Sequence, residues 1–247
     1  MIYNIADLRI DIQNEYPYTT RFCAKYLSDD QTSPVDIVAS VGSVEMDEEK
    51  RQSPGFSDGY IENICLYRNL CLQVPKFNRM LMHSAVLEYD GCAYAFLGRS
   101  GIGKSTHTGL WLKNFPQAKI VNGDKPILKI DDDGVIAYGT PWMGKEGRGE
   151  NTKALLMGMC FLEQAKQNSI RRLTPAETAS RLFSQILLPT EEEMAVRTLE
   201  MADLLIKHVP AWVLACDISE EAVKLSFETM TKKVFELSKA GETQNED

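Results

Sequence analysis

Residues Ala95 to Leu112 read Ala-Phe-Leu-Gly-Arg-Ser-Gly-Ile-Gly-Lys-Ser-Thr-His-Thr-Gly-Leu-Trp-Leu, and they restrict the fold more than any other stretch of the chain. A short apolar run ends at Gly98, a glycine-rich segment follows, and from Lys104 the apolar residues fall at helical spacing. The order is strand, loop, helix. Gly98, Gly103, Lys104 and Ser105 fit G-x-x-x-x-G-K-[ST], the phosphate-binding pattern. A polyphosphate packs several charges into a small volume, so successive main-chain N–H groups must converge on it where side chains would obstruct. Gly98, Arg99, Ser100, Gly101, Ile102, Gly103, Lys104, Ser105 and Thr106 are therefore the expected cradle. Lys104 is expected to reach the outer phosphates and Ser105 to give its hydroxyl to Mg²⁺, with the helix N-terminus adding partial positive charge. The pattern arises by chance in roughly 1% of chains of this length, and the flanking strand and helix lower that figure.

The rest of the composition sets bounds. The chain has 247 residues, 44% of them hydrophobic, enough for a sizeable core. Its formal charge of −8 argues against a large nucleic-acid or anionic-membrane surface. The first residues lack the basic start and apolar centre of a signal peptide, and the apolar run from Ala154 to Leu162 is too short to cross a bilayer, so a cytoplasmic protein is expected. Cys23, Cys65, Cys71, Cys92, Cys160 and Cys216 form no C-x-x-C pair and read as free thiols. His83, His107 and His208 are too dispersed for a zinc cluster.

Residues 1–45 alternate apolar and polar positions in short runs and predict short strands, so 1–56 is expected to be a small β-rich N-terminal region, with an acidic, loop-like excursion from Val44 to Gly59. A helix is expected to start at Ser57-Asp58 and to stop at Pro75. The main unit is expected over 57–240, that helix included, and 241–247 reads as a disordered tail. Asp90-Gly91 lies between two apolar runs and signals a hairpin. If Tyr89 pairs with Cys92, the count along the strands places His83 opposite Gly98, at the mouth of the loop. There a histidine would meet a terminal phosphate or its acceptor; the alternative is a polar cap on a strand end.

After the helix from Lys104, the strand Ala118 to Val121 closes a unit of βαβ size and ends in Asn122-Gly123-Asp124. Asp124 thus emerges at a strand's carboxyl end, where α/β sheets bind ligands, and can hold Mg²⁺ opposite Ser105. Asp131-Asp132-Asp133-Gly134 is a hairpin tip without the ligand spacing of a calcium loop. Thr140 to Asn151 is rich in glycine and charge and reads as a lid or substrate loop, with Arg148 or Lys145 as candidates to stabilise the transferred group. Further on, Leu155 to Leu162 reads as a buried strand. Thr174-Pro175-Ala176-Glu177 carries a capping box, a second helix is expected over 191–207 and a strand over 209–216. Ser219 caps a last helix with Val223, Phe227 and Val234 inward.

A hairpin bearing His83 directly ahead of Gly98 to Ser105, with Asp124 twenty positions beyond Lys104, resembles the HPr kinase/phosphorylase catalytic domain and, more distantly, ATP-dependent phosphoenolpyruvate carboxykinase. The resemblance covers about residues 80–130. It implies an α/β fold, a P-loop core with a mixed sheet. It also implies His83 near the reacting phosphate, Lys104 and Ser105 on phosphate and metal, and Asp124 in an acidic pair. The family pattern has two adjacent aspartates where this chain has Gly123 followed by Asp124. The expectation is an ATP- and Mg²⁺-dependent kinase acting on a hydroxyl, with His83, Lys104, Asp124 and Arg148 in catalytic roles. The expected acceptor is a serine of a small protein or peptide; no nucleic acid or membrane is expected, and self-association is left open. Two alternatives stand beside it, a nucleotide sensor with little turnover because of Gly123 and a small-molecule carboxykinase-type enzyme.

Overall fold

A computed structural model describes residues 1–235, so the expected tail at 241–247 lies outside the described residues. The N-terminal strands β1 (Ile2–Ile5) and β2 (Leu8–Ile12) form a hairpin, and β3 (Ile37–Ala39) adds parallel to β2. Helices α1 (Pro17–Phe22), α2 (Ser43–Gln52) and α3 (Asp58–Gln73) lie between and after them. The larger, nine-stranded sheet contains β4 (Arg79–Leu81), β5 (Ser84–Tyr89), β6 (Cys92–Leu97), β7 (Lys119–Asn122), β8 (Ile127–Asp131) and β9 (Gly134–Tyr138). It is completed by β10 (Lys153–Gln164), β11 (Ser169–Arg172) and β12 (Ala211–Cys216). Four helices accompany it: α4 (Lys104–Asn114), α5 (Pro175–Leu182), α6 (Glu192–His208) and α7 (Glu220–Thr231).

Strand β6 is the middle of this sheet and shows how the sequence divides the core. Its near-continuous apolar run is covered on both faces, as such runs require. Ala93, Ala95 and Leu97 point to a cluster with Met201 and Leu205 of α6. Tyr94 and Phe96 point the other way, to Trp111 of α4 and Phe227 of α7. Small residues face one layer and aromatics the other, following the two-residue period of a strand. Trp111 is fully buried, and its indole N–H donates to Ser226 Oγ at 2.9 Å. His107 Nε2 lies 2.9 Å from the same oxygen, which itself donates to the Val223 carbonyl. With the hydroxyl proton so used, the imidazole must donate, which fixes its Nε2–H form. Burial holds the His107 pKa down at about 4.

The long strand β10 ties the two halves of the sheet. One edge pairs parallel with β6; the other pairs first with β9, antiparallel, and then with β12, parallel. The expected βαβ unit is present: β6 and β7 run parallel, with β5 antiparallel between them. This mixed sheet agrees with the α/β expectation.

The N-terminal sheet shares a core with the rest of the chain. Tyr3, Ile5 and Ile10 cluster with Leu66 and Leu70 of α3, Ile127 and Tyr138 of β8 and β9, and Trp142. Asp7, in the β1–β2 turn, accepts from Tyr138 Oη at 2.7 Å and from Lys153 Nζ at 2.6 Å.

Several local expectations change. The acidic stretch after Val44 is helical, as α2, and Gly42 N–H bonds the Glu45 carboxylate at its start. The run Met80 to Tyr89 is two strands, broken at Met82-His83, because β4 pairs with β8 and β5 with β6. Val234 lies past the end of α7 and is exposed, so it is not an inward residue of that helix. Among the described residues no helix is long and apolar enough to cross a membrane.

Candidate active site

The loop between β6 and α4 is shaped by its glycines. Gly98, Gly101 and Gly103 have φ of 142°, 79° and 116°, a region L-residues rarely enter. The N–H groups of Lys104, Ser105 and Thr106 open α4 and so have no partner inside the helix; among the described residues no protein acceptor takes them in the loop either. Lys104 is nine-tenths buried, at 7% exposure. Its ammonium donates to the Gly98 carbonyl at 2.8 Å and sits 3.5 Å from that of Arg99 and 3.2 Å from His83 Nε2. Burial lowers its pKa, and the charge of Asp124 offsets part of that.

The register predicted for the hairpin is observed: Tyr89 pairs with Cys92 and Ser84 with Leu97. Asp90 and Gly91 both have positive φ, as a type I′ turn demands. His83 therefore stands one step beyond the ladder, beside Gly98. Two main-chain bonds fix it there, His83 N–H to the Gln185 carbonyl at 2.6 Å and Ser84 N–H to the Asp124 carbonyl at 3.1 Å. His83 Nε2 is 3.1 Å from Asp124 Oδ1. The same nitrogen thus faces an ammonium and a carboxylate. As an acceptor it takes a hydrogen bond from Lys104, and as an N–H donor it gives one to Asp124, according to the tautomer. Burial works to raise the Asp124 pKa, but the hydrogen bond from His83 and the charges of Lys125, His83 and Lys104 outweigh it and hold the carboxyl below its usual value.

Asn122, a residue the sequence reading passed over, builds the turn that presents Asp124. It is fully buried. Its Oδ1 accepts from Asp124 N–H at 2.8 Å and Lys125 N–H at 2.7 Å, and its Nδ2 donates to the Thr140 carbonyl and hydroxyl at 3.2 and 3.1 Å. Thr140 Oγ1 in turn donates to the Lys125 carbonyl at 2.8 Å. Asn-Gly-Asp after a strand was the available signal; the partner eighteen residues on was not.

The segment from Thr140 to Asn151 is pressed across Asp124 as a strap. Gly123 N–H donates to the Arg148 carbonyl at 3.0 Å, and Asn122 forms an isolated bridge with Gly149. Trp142 packs on Tyr67 of α3, ring centroids 4.7 Å apart, and lies 6.3 Å from Phe22 of α1. In this way α3, with α1 beside it, holds the strap. Arg148 and Lys145 lie on the cavity wall, but Arg148 is half exposed and its Nε is 3.5 Å from Glu146.

Together these pieces enclose a cavity of about 370 Å³. Ser100, Gly101, Gly103, Lys104, Ser105 and Thr106 line it from the loop and helix; His83, Asp124 and Arg148 line it from the opposite side. Gly98, Arg99 and Ile102 instead line a second groove on the outer side of the loop. Among the described residues no group of three or more His, Cys, Asp or Glu side chains is placed to hold a metal, and all six cysteines are free thiols.

No family model matches this sequence, and no curated protein matches it. Among solved structures, the chain is similar to the HPr(Ser) kinase/phosphatase from Coxiella burnetii. The match has 12% identity and covers 51% of this chain and 88% of that one, with a TM-score of 0.27. A superposition that loose assigns no family.

Proposed function

We propose that the chain is an ATP- and Mg²⁺-dependent phosphotransferase that moves the terminal phosphoryl group to a hydroxyl, with a serine of a small protein or peptide as the acceptor. The observation that carries this reading is Lys104. A largely buried lysine whose ammonium bonds the Gly98 carbonyl is costly unless an anion joins it, and it lines the same cavity as Ser105 and Thr106 at the start of α4. Phosphoryl transfer asks little of a protein beyond positioning and charge stabilisation. Lys104 and the N-terminus of α4 supply the charge. The proton of an incoming hydroxyl has two acceptors 3.1 Å apart, His83 Nε2 and Asp124 Oδ1, and Asn122 keeps the second of them in place.

The donor set fits Mg²⁺, which keeps several waters and takes one or two carboxylates besides substrate phosphates. Ser105 and Asp124, which line the same cavity, would hold it, and the ion would supply charge neutralisation on the phosphates. Strap residues Lys145 and Arg148 add positive charge at the cavity mouth.

Gly123 favours a second reading, a nucleotide-binding sensor. A side chain there would meet the Met143 and Arg148 carbonyls at 2.9 and 3.0 Å, so the strap leaves no room for a second carboxylate beside Asp124. Turnover separates the two readings. Binding of a fluorescent ATP analogue, followed by transfer of label from γ-labelled ATP to protein and peptide acceptors, supports the first; tight binding with no transfer supports the second. Lys104→Ala is expected to abolish binding while leaving the circular dichroism spectrum unchanged. Wild-type affinity in that variant refutes both readings.

A further inference from the structure

We propose that a second ligand site lies at the opposite end of the sheet from the phosphate cavity, and that it takes a flat aromatic carboxylate. It is a groove of about 480 Å³ between the ends of α6 and α7, over the starts of β6 and β12, within the size range of small-molecule pockets. Strand β6 runs from Cys92 in this groove to the glycine loop, six residues or about 20 Å, so both sites can be filled at once. The groove stands whether or not the cavity binds a nucleotide.

The floor is built for a flat body. The pairing of β10 with β6 steps from Leu156 opposite Ala93 to Gly158 opposite Tyr94, which leaves Met157 as an extra residue. Such a bulge re-aims a side chain, and Met157 lines the groove from the middle of the sheet, 42% exposed. The residue after it has to be small. A Cβ on Gly158 would lie 3.1 Å from the Trp212 ring and 3.2 Å from the Met230 methyl, so glycine lets both press against the strand. Two thioethers, of Met157 and Met230, thus line the floor, and sulfur against an aromatic ring is a favourable contact.

Two side chains with polar ends stand in this floor. Tyr94 and Trp212 line the groove and are only 6% and 7% exposed. Among the described residues neither the Tyr94 hydroxyl nor the Trp212 indole N–H has a hydrogen-bond partner, and neither is sealed from solvent as the partnerless Tyr67 hydroxyl is. Trp111, by contrast, gives its N–H to Ser226. Nine-tenths-buried donors left open toward a groove call for a ligand rich in acceptors.

Charge selects the kind of acceptor. On a chain of formal charge −8, Arg172, Lys207, Lys232 and Lys233 all line this one groove. Asp203 pairs with Lys207 at 2.5 Å and Asp90 pairs with Lys233, whereas among the described residues Arg172 and Lys232 have no carboxylate partner. Lys207 and Lys232 also lie at the C-terminal ends of α6 and α7, where helix carbonyls take up part of their charge. Arg172 has no such relief. Its guanidinium lies 5.0 Å from the centre of the Trp212 ring, a stacking that sets the planar fork at the edge of the floor and leaves its N–H groups for a carboxylate. An aromatic body attached to that carboxylate then rests on the two methionines.

The test is titration calorimetry of the full chain with 2-naphthoate, with 2-naphthamide as a neutral ring of the same shape and acetate as the charge without a ring. Naphthoate is expected to bind, and the amide and acetate to bind at least about tenfold more weakly. Met157→Glu puts a like charge on the floor from an exposed position, and Arg172→Gln removes the fork. Each is expected to raise the naphthoate Kd about tenfold or more, with the circular dichroism spectrum and ATP-analogue affinity unchanged. Tyr94→Phe is expected to raise it about threefold, and Lys104→Ala to leave it as it was. No binding of naphthoate, or an amide that binds as well, overturns the ligand class. An unchanged Kd in both Met157→Glu and Arg172→Gln, or loss of naphthoate binding in Lys104→Ala, overturns the location.

Discussion

Placing an aspartate at Gly123 tests the packing that makes this site differ from one with paired carboxylates. The φ of Gly123 lies outside the left-handed range, so the cost of a side chain is contact alone. Its Cβ would sit 2.9 Å from the Met143 carbonyl oxygen and 3.0 Å from that of Arg148, both main-chain atoms of the strap. Neither can rotate away. The strap must lift, which carries the overpacking cost of about 1–3 kcal/mol and breaks the Gly123 N–H to Arg148 bond of 3.0 Å, worth about 1 kcal/mol. The sum is about 2–4 kcal/mol, or a drop in Tm of roughly 5–15 °C for a chain of this size. Thermal and urea unfolding of Gly123→Ala and Gly123→Asp, with ATP-analogue binding on each, measures it. Both variants are expected to be destabilised by that order, and Gly123→Asp to gain no transfer activity. An alanine variant within about 0.5 kcal/mol of wild type, or an aspartate variant with raised transfer and unchanged Tm, refutes the reasoning.

Other outcomes follow from the same geometry. His83→Ala is expected to slow transfer with little change in ATP affinity, since Lys104 keeps its carbonyl partners; an unchanged single-turnover rate returns His83 to a strand-end cap. His107 is held neutral by burial, with a pKa of about 4 against 6.5 when unfolded. As pH falls the unfolded chain therefore binds the proton first: this contribution is full above pH 6.5 and is lost between 6.5 and about 4, roughly 3 kcal/mol in all. Urea titrations of wild type and His107→Gln across that window check it, and parallel profiles would refute it. Ser226→Ala leaves the Trp111 N–H and His107 Nε2 without their shared acceptor and should cost about 2–4 kcal/mol, read as a shifted urea midpoint at unchanged slope.

Much of the site was legible because its signals are local. A type I′ turn needs two positive φ values, Asp90-Gly91 supplies them, and the register counted from that turn brought His83 to the loop. The capping box at Thr174 and the cap at Ser219 were legible for the same reason, their partners lying three residues on. The turn at Ala6-Asp7 was not. It has φ of 54° and 56° without a glycine, and the contacts that hold Asp7 there come from Tyr138 and Lys153, more than a hundred residues away.

The sequence by itself determined that a strand, a glycine-rich loop and a helix follow one another, that Lys104 and Ser105 open that helix, and that His83 and Asp124 end strands near it. These are statements about neighbours along the chain, where backbone sterics and hydrogen-bond reach decide. Only the tertiary structure decided that Asn122 and Thr140 brace Asp124, that Trp142 anchors the strap to the N-terminal helices, and that Gly123 must stay a glycine. It also split the loop between an inner cavity and an outer groove. Those features depend on close approach of segments distant in sequence, and residue spacing carries no record of which backbone will lie 3 Å from which.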